Sequence, residues 1–238
     1  MNSMRATISA DIISSTTLTP YEFASLHRAI QETFKVLETK LGEKSQSFWG
    51  RIVKGDTIEC VFDSPKYALR SALLLKTATL LVPSTWSAVH NEEQIQKGFE
   101  YFVSHGIRLA IGVGEMRTVD KEAGIMDGDA IYKSGRKIAE YSTTGKERII
   151  IKNTLYFISD DAVINKLVNT MLVFVDFLFK KATFKQLQVL YYKLQGLKDP
   201  EIAELLGLGT TSVNQRSTAL GWNAVAEMLD VYENYFYR

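Results

Sequence analysis

Cysteine is almost absent from these 238 residues: Cys60 stands alone, which excludes a disulfide framework and a thiolate-bound metal cluster. Its alternation with Ile58 and Phe62 marks a buried strand position, the usual home of a free thiol. An excess of one charge is lacking too. The 28 basic residues face 27 acidic ones, a formal net charge of +1, so no global field draws the chain to nucleic acid or to an anionic membrane. Any such binding must come from a local site. Crossing a bilayer needs about 20 apolar residues; the most apolar run, MLVFVDFLF from Met171 to Phe179, is shorter and contains Asp176. The opening MNSMRATISADIISS has no extended apolar core behind its first basic residue, so no signal peptide is read there. The expectation is a cytoplasmic protein without membrane insertion. With 46% hydrophobic and 23% charged residues, the chain has the composition of a folded protein, long enough for one large domain or two small ones.

Hydrophobic spacing orders the first two thirds. Met4 to Ile13 alternates, with Ala6, Ile8, Ala10 and Ile12 on one face and Arg5, Thr7, Ser9 and Asp11 on the other. Pro20 opens a helical stripe of Phe23, Leu26, Ile30, Phe34 and Leu37 that closes near Lys40. Two strand-like runs, 48–54 and 57–62, meet at Gly55-Asp56. Ser64-Pro65 then reads as the cap and first-turn proline of a helix over 65–81. Residues 83–106 read as an irregular insertion with one short amphipathic helix. Ile107 to Val113 alternates again, with Arg108 on its polar side. A loop to Gly128, a helix over 129–142 and a strand over 147–152 follow. This β-α-β-β-α-β order with an added helix and strand predicts an α+β, ferredoxin-like antiparallel sheet with its helices on one face. The other face, carrying Arg5, Thr7, Ser9, Asp11, Arg51 and Arg108, is expected to be open to a partner chain, a ligand or water.

From about Ser159 the pattern changes. Residues 160–181 read as a long apolar helix whose stripe of Val163, Leu167, Met171, Phe174 and Leu178 is expected to be buried between domains or subunits. Thr183 and Gln186 have capping-box spacing, and shorter helices follow to the end. The expected organisation is a sheet domain over 1–158, a connector over 159–181 and an all-α domain over 182–238. Within the last, Asp199 caps and Pro200 begins a short helix with Ile202, Ala203, Leu205 and Leu206 as its core. Gly207-Leu208-Gly209 turns the chain, and Thr210 caps a second helix ending before Gly221. The small alanine, the glycine turn and Val213 inside the second helix suit the tight crossing of a helix-turn-helix. If DNA is the partner, Thr211, Ser212, Asn214, Gln215 and Thr218 face base edges and Arg216 lies near a phosphate. From Thr183 to Arg238 five basic residues face six acidic ones, a poor balance for non-specific phosphate affinity.

Two carboxylates carry the other chemical signal. Asp11 ends the first strand and Asp56 sits in the next hairpin, so a ferredoxin-like sheet brings both toward one edge. Paired carboxylates beside phosphate oxygens are how proteins hold Mg²⁺. Gly-Asp is also ordinary hairpin chemistry, and Asp11 could instead cap the turn at Ser14 and Ser15.

Four segments in order, ISADIISST, VKGDTIECVF, IRLAIGVGEM and GDAIYKSGRKIAE, resemble the class III nucleotidyl cyclase domain and, more closely, its SatD-like relatives, over residues 4–155. The resemblance implies that Asp11 and Asp56, with the Ile12 carbonyl, hold Mg²⁺ or Mn²⁺ around a nucleoside triphosphate. It implies nucleotide contacts from Lys54, Gly55, Gly128, Asp129, Tyr132 and Arg136, with Arg136 stabilising the transition state in an active enzyme. Such enzymes build the site between two domains, so a homodimer through the open sheet face and the connector helix is implied. The family's asparagine four residues after the glycine is replaced by Tyr132, and a bulky phenol cannot orient a ribose as a small amide does. Residues 183–222 resemble the helix-turn-helix of sigma-factor and response-regulator output domains. The function expected is a SatD-like transcriptional regulator that couples a degenerate nucleotide-sensing domain to DNA. The alternatives are an active Mg²⁺-dependent cyclase or other phosphoryl-transfer enzyme, and a module serving protein assembly alone.

Overall fold

The computed structural model describes residues 4–41, 48–82, 100, 102–104, 106–141 and 151–237. Strands β1 (Met4–Ile12), β2 (Phe48–Val53), β3 (Thr57–Phe62) and β4 (Ile107–Asp120) form an antiparallel sheet in the order β2-β3-β1-β4. That is the order of the split βαβ motif. Helices α1 (Pro20–Leu41) and α2 (Ala68–Leu80) make its crossovers. Strand β5 (Ile125–Gly128) pairs with the far end of β4, and β6 (Leu155–Ile158) adds in parallel to Leu109–Gly112. The expected strand over 147–152 falls largely outside the described residues, and the strand present begins later, at Leu155. Most of the 83–106 insertion lies outside them too.

The sheet's two faces are packed by different chemistry. On one, Ala6, Ile8, Ala10, Ile58, Cys60, Phe62, Leu109 and Ile111 are buried under Leu26, Ile30, Leu69 and Leu73. The stripe on α1 is as its spacing predicts, and Thr19 and Glu22 cap its start reciprocally.

The opposite face is not open. Helix α3 (Asp129–Glu140) lies across β1 and β4, and Thr7, Ser9 and Arg108 are buried beneath it. The Ser134 hydroxyl bonds Thr7 Oγ1 at 2.9 Å and Ser9 Oγ at 2.8 Å. Contact is close because the strand is small there: a Cβ on Gly112 would stand 2.2 Å from the Ala130 carbonyl oxygen. The polar strand residues expected to form an open face for a partner chain, a ligand or water are therefore the seat of a helix. Alternation separates two faces but cannot distinguish water from a small-residue helix seam.

Helix α2 is buried almost all round, because it is sandwiched between the sheet and the C-terminal helices α4 (Ala162–Lys181), α5 (Phe184–Leu194), α6 (Asp199–Leu206), α7 (Thr210–Leu220) and α8 (Trp222–Tyr235). One hydrophobic cluster runs from the sheet through Leu172 and Val175 to Leu187, Leu190, Leu220, Leu229 and Tyr232. The Thr183–Gln186 capping box forms. On α4 the expected buried stripe is displaced. The face in the core is Ile164, Val168, Leu172, Val175, Asp176 and Phe179, whereas Val163, Leu167 and Phe174 are exposed. The helix is apolar around most of its circumference, so periodicity could not choose the inner side. Asp161 caps it, accepting from Val163 N and Ile164 N.

Candidate functional site

The first cluster of expected site residues lies where β1 ends and β4 begins. Asp11 stands opposite Thr57 on one side and Arg108 on the other. The Ile12 amide donates to the Asp56 carbonyl at 3.0 Å. The fold thus brings Asp11, Ile12 and Asp56 together at one edge of the sheet. Lys54 and Gly55 turn the hairpin with φ of 52° and 85°. The left-handed geometry costs a lysine more than a glycine, and His27 Nε2 holds the turn through the Gly55 carbonyl at 2.6 Å. Lys54 itself is exposed.

Asp11 is engaged within the chain. Arg108 Nη2 lies 2.5 Å from Asp11 Oδ2 and its Nε donates to Oδ1 at 3.0 Å, a bidentate fork. Arg108 also donates to the Tyr141 carbonyl just past the end of α3. The proposed cap of the Ser14–Ser15 turn by Asp11 is therefore replaced by an ion pair. Asp56 is freer: Ser15 and Thr57 hydroxyls approach its oxygens only at 3.5 and 3.4 Å. Among the described residues no group of three His, Cys, Asp or Glu converges as a metal set would. The residues fit a divalent cation only with the Asp11–Arg108 fork opened.

Beneath this edge lies a buried polar layer that pattern reading missed. Lys76, 1% exposed, donates to the Ile107 carbonyl at 2.7 Å and to Thr154 Oγ1 at 2.5 Å. Thr154 in turn donates through its amide and hydroxyl to buried Asp176 of α4. Burial lowers the Lys76 ammonium from its ordinary range to about 8, with Asp176 opposing the shift. The signal available in sequence was a lysine inside ALLLKTATL and an aspartate inside LVFVDFLF, charges that no solvated face accounted for.

The second cluster is at the opposite end of α3. Gly128 has φ of 146° and its position admits no Cβ, which would lie 2.6 Å from Met116 Cα. Asp129 is largely exposed, 3.6 Å from Lys133 Nζ. The Tyr132 hydroxyl donates to Asp127, which Arg117 also binds, Nε to Oδ2 at 3.0 Å. The Tyr132 bond first, then Arg117, holds the Asp127 carboxyl below its usual range. Arg136 is exposed, its guanidinium 5.9 Å from the Tyr132 ring centre. Arg108 and Gly114, which seat the two ends of α3, are six residues apart on β4, about 20 Å at strand rise. One chain therefore does not unite Asp11 and Asp56 with Gly128 and Asp129.

The C-terminal helix pair has its own small core of Val189, Ile202, Ala203 and Val213. Gly207 closes α6 with φ of 63° and Gly221 closes α7 with φ of 85°. The helix starts differ by one residue from expectation: Lys198 is the α6 cap, its amide donating to Glu201, and Gly209 rather than Thr210 caps α7. Thr211, Asn214, Gln215 and Thr218 are exposed, and Ser212 and Arg216 are half-buried.

No protein-family model and no curated protein matches the sequence. Among solved structures, a bacterial light-regulated adenylyl cyclase aligns over 65% of this chain and 74% of its own, with 16% identity and a TM-score of 0.38. A likeness that distant carries no argument about activity.

Proposed function

We propose that this chain is a transcriptional regulator in which the sheet domain senses a nucleotide and the α6–α7 pair binds DNA as a helix-turn-helix. The observation that carries the reading is the outer face of α7. Six residues there present hydroxyl, amide and guanidinium groups whose side chains make no hydrogen bond or ion pair within the described residues. Asn214 and Gln215 suit adenine edges, Thr211, Ser212 and Thr218 suit backbone or base contacts, and Arg216 suits a phosphate. The weak charge balance of this region calls for recognition through base contacts more than through phosphate neutralisation. The test is an electrophoretic shift against genomic fragments with wild type and Asn214→Ala/Gln215→Ala. Loss of the shifted band in the double variant supports the reading, and equal shifts or none in wild type refute it.

A second reading, Mg²⁺- or Mn²⁺-dependent nucleotidyl cyclisation or related phosphoryl transfer, draws on the convergence of Asp11, Ile12 and Asp56. The Asp11–Arg108 fork and Tyr132 stand against it. Turnover of four nucleoside triphosphates with Mn²⁺, compared between wild type and Asp56→Asn, decides the point: activity that disappears in the variant establishes the enzyme.

A further inference from the structure

We propose that α4 pairs antiparallel with α4 of a second copy of this chain, independently of nucleotide or DNA. Its outer face is mostly apolar and, among the described residues, uncovered: Val163 is 69% exposed, Leu167 52%, Phe174 67% and Phe177 57%, with Val173 beside them. These side chains recur at 163, 167, 170, 174 and 177, alternating steps of four and three, and Lys181 and Phe184 continue the series. Steps of four and three repeat every 3.5 residues, the seam of a helix that packs along another helix. Thr170 interrupts the apolar series at its centre, and the exposed Lys166 flanks it on the same face.

The seam is self-complementary. A two-fold axis through Thr170 sets Val163 against the partner's Phe177, and Leu167 against the partner's Val173 and Phe174. The same axis brings the helix start level with the partner's Lys180 and Lys181. There Asp160 already pairs with Lys133 at 2.7 Å and Asp161 caps the helix, so these carboxylates add long-range attraction rather than new ion pairs. An antiparallel pair also opposes the helix dipoles favourably. A parallel pair would stack lysines on lysines and aspartates on aspartates. Five side chains exposed to this degree present roughly 500 Å² per copy, about 1,000 Å² together, where specific interfaces begin. Such a pair is isologous and closes at two copies. With α3 covering the sheet face first expected to pair, this seam is a contiguous apolar surface, among the described residues, that a partner chain can take. A lipid surface is the competing occupant, since Ala162–Lys181 is long and apolar enough to enter a bilayer. The self-complementary spacing of the seam and the carboxylates at the helix start, which an anionic lipid surface would repel, favour protein.

Sedimentation equilibrium of the full chain in the micromolar range tests the proposal. The expected mass is twice 26.8 kDa, and Phe174→Glu/Phe177→Glu returns it to one chain, weakening association about ten-fold or more. Both phenylalanines are exposed in one copy, so the variant keeps its circular dichroism and melting temperature. Mild oxidation reads the orientation: Thr170→Cys cross-links to itself, and Val163→Cys cross-links to Phe177→Cys but not to itself. Cys60 is buried and stays silent. A monomer at all concentrations, a dimer that survives the double glutamate, self-cross-linking of Val163→Cys, or a monomer that pellets with phosphatidylserine vesicles each overturns it.

Discussion

The sheet edge at Asp11 and the outer face of α7 hold comparable polar chemistry in opposite states. At the edge the strong groups other than Asp56 have partners inside the chain: Asp11 with Arg108, Arg108 with Tyr141, Lys76 with Ile107 and Thr154, and Thr154 with Asp176. On α7, Asn214, Gln215 and Arg216 have none among the described residues. A satisfied network holds architecture and yields a ligand site only when something displaces a member. An unsatisfied, solvated row of donors and acceptors costs the fold little and leaves its pairing to a partner. Under the proposed function, the difference gives the edge a role in stability and α7 a role in recognition.

Breaking the edge is the largest effect expected. Arg108→Ala should destabilise the chain by roughly 3 kcal/mol, because it strips a buried ion pair of one member, as read by chemical denaturation. The same variant should bind Mn²⁺ more tightly than wild type, since its Asp11 no longer has a competing guanidinium. Unchanged Mn²⁺ affinity would separate Asp11 from any cation site.

Lys76 offers an effect of similar order, visible through pH. Its folded-state value of about 8 lies below the ordinary 10.5, so between these values the unfolded chain binds more protons. The cost of the buried ammonium is fully present below pH 8, and stability rises as pH climbs through the window, on the order of 3 kcal/mol from this group. Burial pushes the Cys60 thiol up, giving an opposite slope, but wild type and Lys76→Met share it. The difference between their stability–pH curves should therefore retain the Lys76 rise, and superimposed curves would show that Lys76 is charged at no cost.

The smallest structural effect belongs to α7. Asn214→Ala/Gln215→Ala should leave the unfolding free energy within about 0.5 kcal/mol of wild type while removing the shifted DNA band. A large loss of stability would move these residues from recognition to architecture.

Much of this organisation was legible from residue spacing, and the gaps have physical reasons. The alternation of β1 and β4, the α1 stripe, the Gly55 hairpin and the Thr183 capping box depend on neighbours close in sequence. Seating α3 on Thr7, Ser9 and Gly112 depends on contacts more than a hundred residues apart for the two strand hydroxyls, and a polar strand face gives no sign of it. The inner side of α4 was misread because both its sides are apolar. Asp11 and Asp56 were placed at one edge by topology alone. The pairing of Asp11 with Arg108 required the β1–β4 register, which spacing does not supply.

The regulatory account stands on coupling between the two regions, and DNA affinity measured with and without a nucleoside triphosphate and Mn²⁺ addresses it directly. The account predicts that ligand shifts the wild-type dissociation constant by about 5-fold or more, within the usual range of allosteric coupling, and leaves Asp56→Asn unmoved. Identical DNA affinity with and without ligand, in a wild-type protein shown to bind both, would contradict it.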